Sequence, residues 1–201
     1  MTSLRKARIK TVMKYTWPLY IISAIIVGLL LNFIFGIVHK LPAYKQLTLF
    51  ISGEVTDSKK LESDLMNKFQ DKELKSVTTI SANISDGNYD TKLTVAGYSS
   101  ADILIIPISR LEELDIKRVG LDLTDEAITS YYSSNEIYKQ DEMGYGIKLN
   151  KEMVKEYMTL PKEDCYMILN GASENIGQYS KSQIKEHDMA LLLAQDWGCN
   201  V

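Results

Sequence analysis

A serine three residues ahead of a lysine, Ser182-x-x-Lys185, has catalytic spacing within the carboxyl-terminal part of this sequence. On a helix that interval lets a lysine amine activate a serine nucleophile. Its companion motifs are absent, and both residues fall in the first turn of the last expected helix, where Ser and Lys are ordinary. There is no phosphate-cradling glycine loop, no G-x-S-x-G elbow, no paired-histidine helix and no C-x-x-C. The adjacent acids Asp125-Glu126 and Asp141-Glu142 sit on polar stretches and read as capping and solvation. His39 and His187 are too few and too far apart for a metal site, and no cofactor is expected. Cys165 and Cys199, the only cysteines, either close a disulfide in an exported domain or leave Cys165 as a buried strand thiol. Asn83-Ile84-Ser85 is a glycosylation sequon that matters only in a eukaryotic secretory path. These residues point away from an enzyme and towards binding.

The elements that would position a binding site follow from periodicity. Gln46–Ser52 alternates as a strand, Gly53 and Thr56-Asp57 break it, and Asp57 or Ser58 caps a helix to about Gln70 with a stripe of Leu61, Leu65, Met66 and Phe69. Ser76–Ala82 is a second strand, and Ser85-Asp86-Gly87-Asn88 a turn. Asp102–Pro107 is apolar on both faces, as in a strand covered on both sides of a mostly parallel sheet. Ser109-x-x-Glu112 predicts a capping box, and Thr124 with Asp125 and Glu126 another helix start. Tyr145–Leu149 reads as a strand, Asn150 as the cap of a helix to about Thr159 stopped by Pro161, and Cys165–Leu169 as a further strand. Ser180-x-x-Gln183 predicts the cap of a final helix with core residues Met189, Ala190, Leu193 and Trp197, ending at Gly198. Strands alternating with helices give an α/β fold, a single three-layer lobe with helices on both faces.

Ahead of this domain, Trp17–Val38 runs 22 residues without a charge. As a helix it is about 33 Å long, enough to cross a ~30 Å hydrocarbon core. Arg5, Lys6, Arg8, Lys10 and Lys14 precede it, Lys40 and Lys45 follow, and the first forty residues contain no acid. That asymmetry places the amino terminus in the cytoplasm and the domain outside. Tyr15, Trp17 and Tyr20 are placed as an interfacial anchor, and Pro18 as a first-turn residue. A cleaved signal has a shorter apolar stretch and small residues at the cut, whereas Leu41-Pro42-Ala43 is bulky where it should be small. The expected organisation is a basic cytoplasmic tail over 1–16, a transmembrane helix over 17–38, a linker over 39–45 and an extracytoplasmic domain over 46–201. One helix face reads Tyr20, Ala24, Gly28, Asn32, Gly36, the small-residue spacing that lets membrane helices associate with themselves or a partner. Six of the 23 basic residues lie in the first forty, which leaves 17 against all 26 acids. An exterior so acidic disfavours nucleic acid and anionic lipid as partners, and no nucleic acid is expected.

In this order the segments resemble extracellular solute-binding proteins of the type 2 periplasmic-binding fold. The likeness rests on Gln46–Ser52 with its following helix, on Tyr89-x-x-Lys92-Leu93 leading through Ser99-Ser100-Ala101-Asp102 into Ile103–Pro107, on Leu121-Asp122-Leu123-Thr124, and on Tyr145-Gly146-Ile147. It implies a non-enzymatic solute binder beside a membrane transporter in a bacterial envelope. Members usually have two lobes and twice this length; here Cys165–Leu169 and the last helix return to the first lobe after a brief excursion. They are also commonly lipid-anchored, and no lipobox cysteine is present.

Open α/β sheets bind ligands beyond the carboxyl ends of their strands. That rule names Ser52, Gly53, Ser109, Tyr145, Asn170 and Gly171. The expected function is a membrane-anchored binding or accessory module; the alternative is a structural or regulatory subunit of a membrane complex with no small ligand.

Overall fold

The structure, a computed structural model, describes residues 3–38, 41–129, 132 and 136–199. His39 and Lys40 lie outside the described residues, as do the side chains of Arg5, Lys6, Arg8 and Tyr15. The chain divides into two compact units, Met1–Leu41 and Pro42–Val201.

The first unit is one helix, α1, Ser3–Val38. Its segment Thr16–Phe35 is 20 residues long, none of it buried, and long and apolar enough to cross a membrane. The sequence placed Pro18 in a first turn, but the helix starts at Ser3 and carries Pro18 in its interior. The basic segment is helical too, so the carbonyl of Lys14 loses the donor that any other residue at 18 would supply. Thr16 and Ser23 turn their hydroxyls back onto the carbonyls of Val12 and Tyr20, at 2.7 and 3.0 Å.

The second unit runs β1 (Gln46–Ser52), β2 (Glu54–Val55), α2 (Ser58–Lys68), β3 (Ser76–Ala82), α3 (Tyr89–Lys92), a π turn (Leu93–Gly97) and α4 (Tyr98–Ser100). It continues with β4 (Ile103–Pro107), α5 (Ile108–Leu111), α6 (Glu126–Thr129), β5 (Ile137–Gln140), β6 (Met143–Lys148), α7 (Lys151–Val154), β7 (Met158–Thr159), β8 (Cys165–Leu169) and α8 (Met189–Trp197). Six strands form one sheet in the order β3-β1-β4-β8-β6-β5, and β2 pairs with β7 in a separate ribbon. β3, β1 and β4 are parallel, whereas the β4–β8, β8–β6 and β6–β5 pairs are antiparallel. The sheet is therefore mixed, and not the mostly parallel one expected.

Strand pleating sorts the core into two layers. Leu47, Leu49, Ile51, Ile103, Ile105, Met167 and Leu169 face one cluster with Leu61 and Leu65 of α2 and the buried side of α8. Phe50, Leu104, Ile106, Tyr166 and Ile168 face the other, with Tyr89, Leu93, Leu111 and Ile116. Both faces of β4 are thus covered, and Ile103–Pro107 is buried throughout. At about 1.5–3 kcal/mol per fully buried aliphatic side chain, this strand anchors the domain.

Asp57 caps α2 as expected, its Oδ1 accepting the Lys60 N–H at 2.9 Å. Asn150 caps α7 by accepting the Glu152 N–H at 3.1 Å, but that helix ends at Val154 and Met158–Thr159 becomes a strand. Ser109 makes no capping box: α5 opens straight after Pro107, and Ser109 spends its N–H and hydroxyl on Glu163. α8 begins at Met189, not near Ser180; Gln183 has φ 53°, outside the helical region. Asp141-Glu142, read as a solvated stretch, is the two-residue turn of a β5–β6 hairpin, with φ 49° and 70° as a type I′ turn requires.

Candidate functional site

β1 and β3 end side by side, Ser52 opposite Ala82, and the chain beyond them walls a groove of about 490 Å³. Ser52, Gly53 and Glu54 line one side, Asn83, Ile84 and Ser85 another, and Thr159, Leu160 and Pro161 the third. Gly53 sits where the β2–β7 ribbon crosses close; a Cβ there would lie 2.4 Å from the Thr159 carbonyl oxygen. Only glycine lets the two segments meet without displacing backbone. Asn83 stiffens its own wall, its Oδ1 accepting from the Ser85 N–H at 3.1 Å and hydroxyl at 2.9 Å. The third wall is held from behind by Lys151, whose ammonium donates to the carbonyls of Pro161 (2.6 Å), Lys162 (3.0 Å) and Glu163. Glu163 in turn accepts the Ser109 N–H and hydroxyl at 3.1 and 2.8 Å. Ser109 is thus a support of this wall and does not line the groove.

The Ser52 hydroxyl is 2.6 Å from the Tyr89 phenol, both buried. Burial raises the Tyr89 pKa, with the Ser52 contact opposing. The Arg110 guanidinium lies 5.1 Å from the Tyr89 ring centre and pairs with Asp90 and Glu113. Among the described residues the Ser52 hydroxyl meets the Tyr89 phenol and no basic side chain, so it is a buried structural tie. Ser182 bonds to Ser180 at 2.7 Å in a non-helical segment, so the helical geometry that would join it to Lys185 is absent. Among the described residues no three His, Cys, Asp or Glu side chains converge as a metal site. No disulfide joins Cys165 to Cys199; Cys165 is buried, which pushes its thiol up to about 11.

The remaining candidates lie at the other end of the sheet. β8 runs antiparallel to β4, placing Leu169 opposite Ile103, so Asn170 follows the end where β4 begins. Asn170 Nδ2 donates to the Tyr98 and Ala101 carbonyls at 3.0 and 2.8 Å, and its Oδ1 accepts the Ala172 N–H at 2.9 Å. The Gly171 N–H donates to Val119 at 2.8 Å. The two residues line a separate depression of about 350 Å³ with Arg118, Gly120 and Lys181. Tyr145 is a core residue, its ring against Gly120 and its hydroxyl 3.4 Å from Met143 Sδ. The six candidates therefore do not form one site: Ser52 and Gly53 belong to the groove, and Asn170 and Gly171 to a depression at the opposite end. Spacing in sequence gave no sign of Asn83, Ser85, Thr159 or Lys151 as groove builders.

Beneath that far end sits Asp102, whose carboxylate accepts from the Thr48 N–H (2.7 Å), the Ser173 hydroxyl and Asn175 Nδ2 (3.1 Å). No cation joins it among the described residues, and burial raises its pKa against the pull of those hydrogen bonds.

No family model and no curated protein matches this sequence. Among solved structures, the chain is similar to an ABC substrate-binding protein. That protein comes from Listeria monocytogenes and was solved in complex with cycloalternan; identity is 18% and the TM-score 0.33, over 55% of this chain and 32% of that one. This chain thus spans about a third of the length of the protein it matches. At that TM-score the likeness carries neither ligand nor activity across.

Proposed function

We propose that the protein is a membrane-anchored binding module, with α1 in the bacterial cell membrane, its amino terminus in the cytoplasm and residues 46–201 outside as one lobe of the type 2 periplasmic-binding kind, beside a membrane transporter. The observation that carries the reading is the groove beyond the carboxyl ends of β1 and β3 in a domain joined to an exposed 20-residue apolar helix. Its lining supplies one carboxylate, Glu54, the hydroxyls of Ser85 and Thr159, the Asn83 amide and the apolar Ile84, Leu160 and Pro161, with no cationic side chain. Such a lining suits a neutral or cationic solute and repels an anionic one. A thermal-shift screen of the full chain in detergent against sugars, amino acids, amines and short peptides tests it. A hit from the neutral or cationic group that E54Q or N83A weakens supports the reading. Silence across all classes, or a response to anions alone, opposes it.

A second reading, a subunit that binds another membrane protein and no solute, is favoured by the exposed stripe Ala24, Gly28 and Asn32, where an added Cβ at Gly28 meets nothing within 4 Å. Co-purification of a membrane protein that is lost in G28I, with no thermal response to any solute, would favour it.

A further inference from the structure

The two edges of the six-stranded sheet are treated unequally. β5 is blunted in the ways that natural edges are: four residues, a lysine at 139, and a register break between Tyr138 and Lys139. β3 has none of these. It is seven residues long, in unbroken register with β1 from Ser76 to Ala82, and contains no charge, proline or glycine. Among the described residues its backbone bonds run to β1 alone. Thr78 and Ser81 are exposed, and Ser76, Thr79 and Ile80 half-buried. An open, regular, uncharged edge of this length is a template for another strand.

We infer that β3 is a homodimer interface, pairing antiparallel with β3 of a second copy to join two sheets into one. A two-fold interface requires the strand to complement itself, which only the antiparallel sense allows. With the axis at Thr79, Thr78 meets Ile80, Val77 meets Ser81 and Ser76 meets Ala82, so β-branched and hydroxyl residues face one another along the ladder. The flanks carry opposite charge. Lys75, exposed and in no ion pair among the described residues, precedes the strand, and the exposed Asp86 follows it in the turn after Asn83. The antiparallel sense brings Lys75 of each copy against the Asn83–Asp86 turn of the other, twice per dimer. A heterologous partner would match these flanks only by coincidence. A seven-residue pairing is weak in free solution, but anchoring both copies in one bilayer raises their effective concentration. The interface adjoins the groove at the Asn83–Ser85 wall, but the pairing itself requires no ligand.

The test is cysteine cross-linking of the full chain in its own membranes, in a C199S background with Cys165 left buried in the core. Under mild oxidation T79C should give a dimer of twice the chain mass, and K139C on the other edge none. Adding T78K to T79C should cut the dimer roughly tenfold, the factor that about 1.4 kcal/mol carries. K75D should also weaken it, and K75D with D86K should restore it, which separates pairing from misfolding. The inference is overturned if cysteines at 78, 79 and 80 all fail to cross-link, or if K139C cross-links equally. Indifference to T78K, or a cross-linked product whose mass shows a different polypeptide, overturns it as well.

Discussion

Replacing Asp102 should reveal a buried carboxylate that holds the domain together by its hydrogen bonds while its charge works against folding. In D102A, the Thr48 N–H, the Ser173 hydroxyl and the Asn175 amide all lose their acceptor at once. At about 1–3 kcal/mol for each buried donor left unmet, with some relief from entering water, the loss comes to about 3–5 kcal/mol. That is a large share of the ~5–15 kcal/mol that stabilises a typical domain. At roughly 2–4 °C per kcal/mol for a domain of this size, the melting point should fall by roughly 6–20 °C. D102N keeps the volume and one acceptor, so its loss should be smaller, and it removes the proton equilibrium. Because burial raises the Asp102 pKa, the native state holds the proton more tightly than the unfolded chain. The resulting stability is fully present below the unfolded value near ~3.9 and is lost as pH rises through the folded value. Glu73, Glu152 and Glu156 are lowered by hydrogen bonds from Lys45, Lys155 and Lys60, so they act in the opposite sense: their contribution is lost as pH falls. Subtracting the D102N profile from the wild-type profile isolates Asp102. Urea unfolding followed by near-ultraviolet circular dichroism at half-unit steps from pH 3.5 upward should show the wild-type advantage shrinking with pH, by at most about 1.4 kcal/mol per unit. An advantage that grows with pH would show that the ionised carboxylate is the stabilising form and would refute the reasoning.

Three further outcomes follow from single features. G53A forces the Thr159 backbone away from a Cβ that would sit 2.4 Å from its oxygen; it should cost about 1–3 kcal/mol in thermal melts and weaken any ligand response of the groove. Cys165, buried and with its thiol pushed up to about 11, should resist maleimide at pH 7.5 in the folded chain and react once urea unfolds it, read by intact mass; rapid native labelling would contradict its placement. G28I should abolish any helix-driven association in a membrane two-hybrid assay, where an unchanged signal would remove the small-residue stripe from consideration.

Much of the fold was legible because turn chemistry brackets clean alternation. Gln46–Ser52, Ser76–Ala82 and Cys165–Leu169 have the same limits in sequence and structure, and all four core residues of the last helix are buried. What failed had a physical cause in each case. The β5–β6 hairpin was missed because its turn is Asp141-Glu142, without the glycine that usually signals positive φ. The cap assigned to Ser109 was lost to a tertiary partner, Glu163, 54 residues away. Strand direction is not written in a five-residue apolar run. Cys165–Leu169 pairs antiparallel to β4, and that alone moved Asn170 and Gly171 to the opposite end from Ser52. The groove itself depends on Gly53 meeting Thr159 across more than a hundred residues of chain, a coincidence that no local pattern records.

The most direct test of the account is the disposition of the chain across the membrane. A tag placed after Val201 should be removed by protease added to intact cells or right-side-out vesicles, while the amino-terminal remainder stays in the membrane through alkaline carbonate washing at its full, uncleaved mass. A protected tag, or a shortened chain released into the soluble fraction, would contradict it.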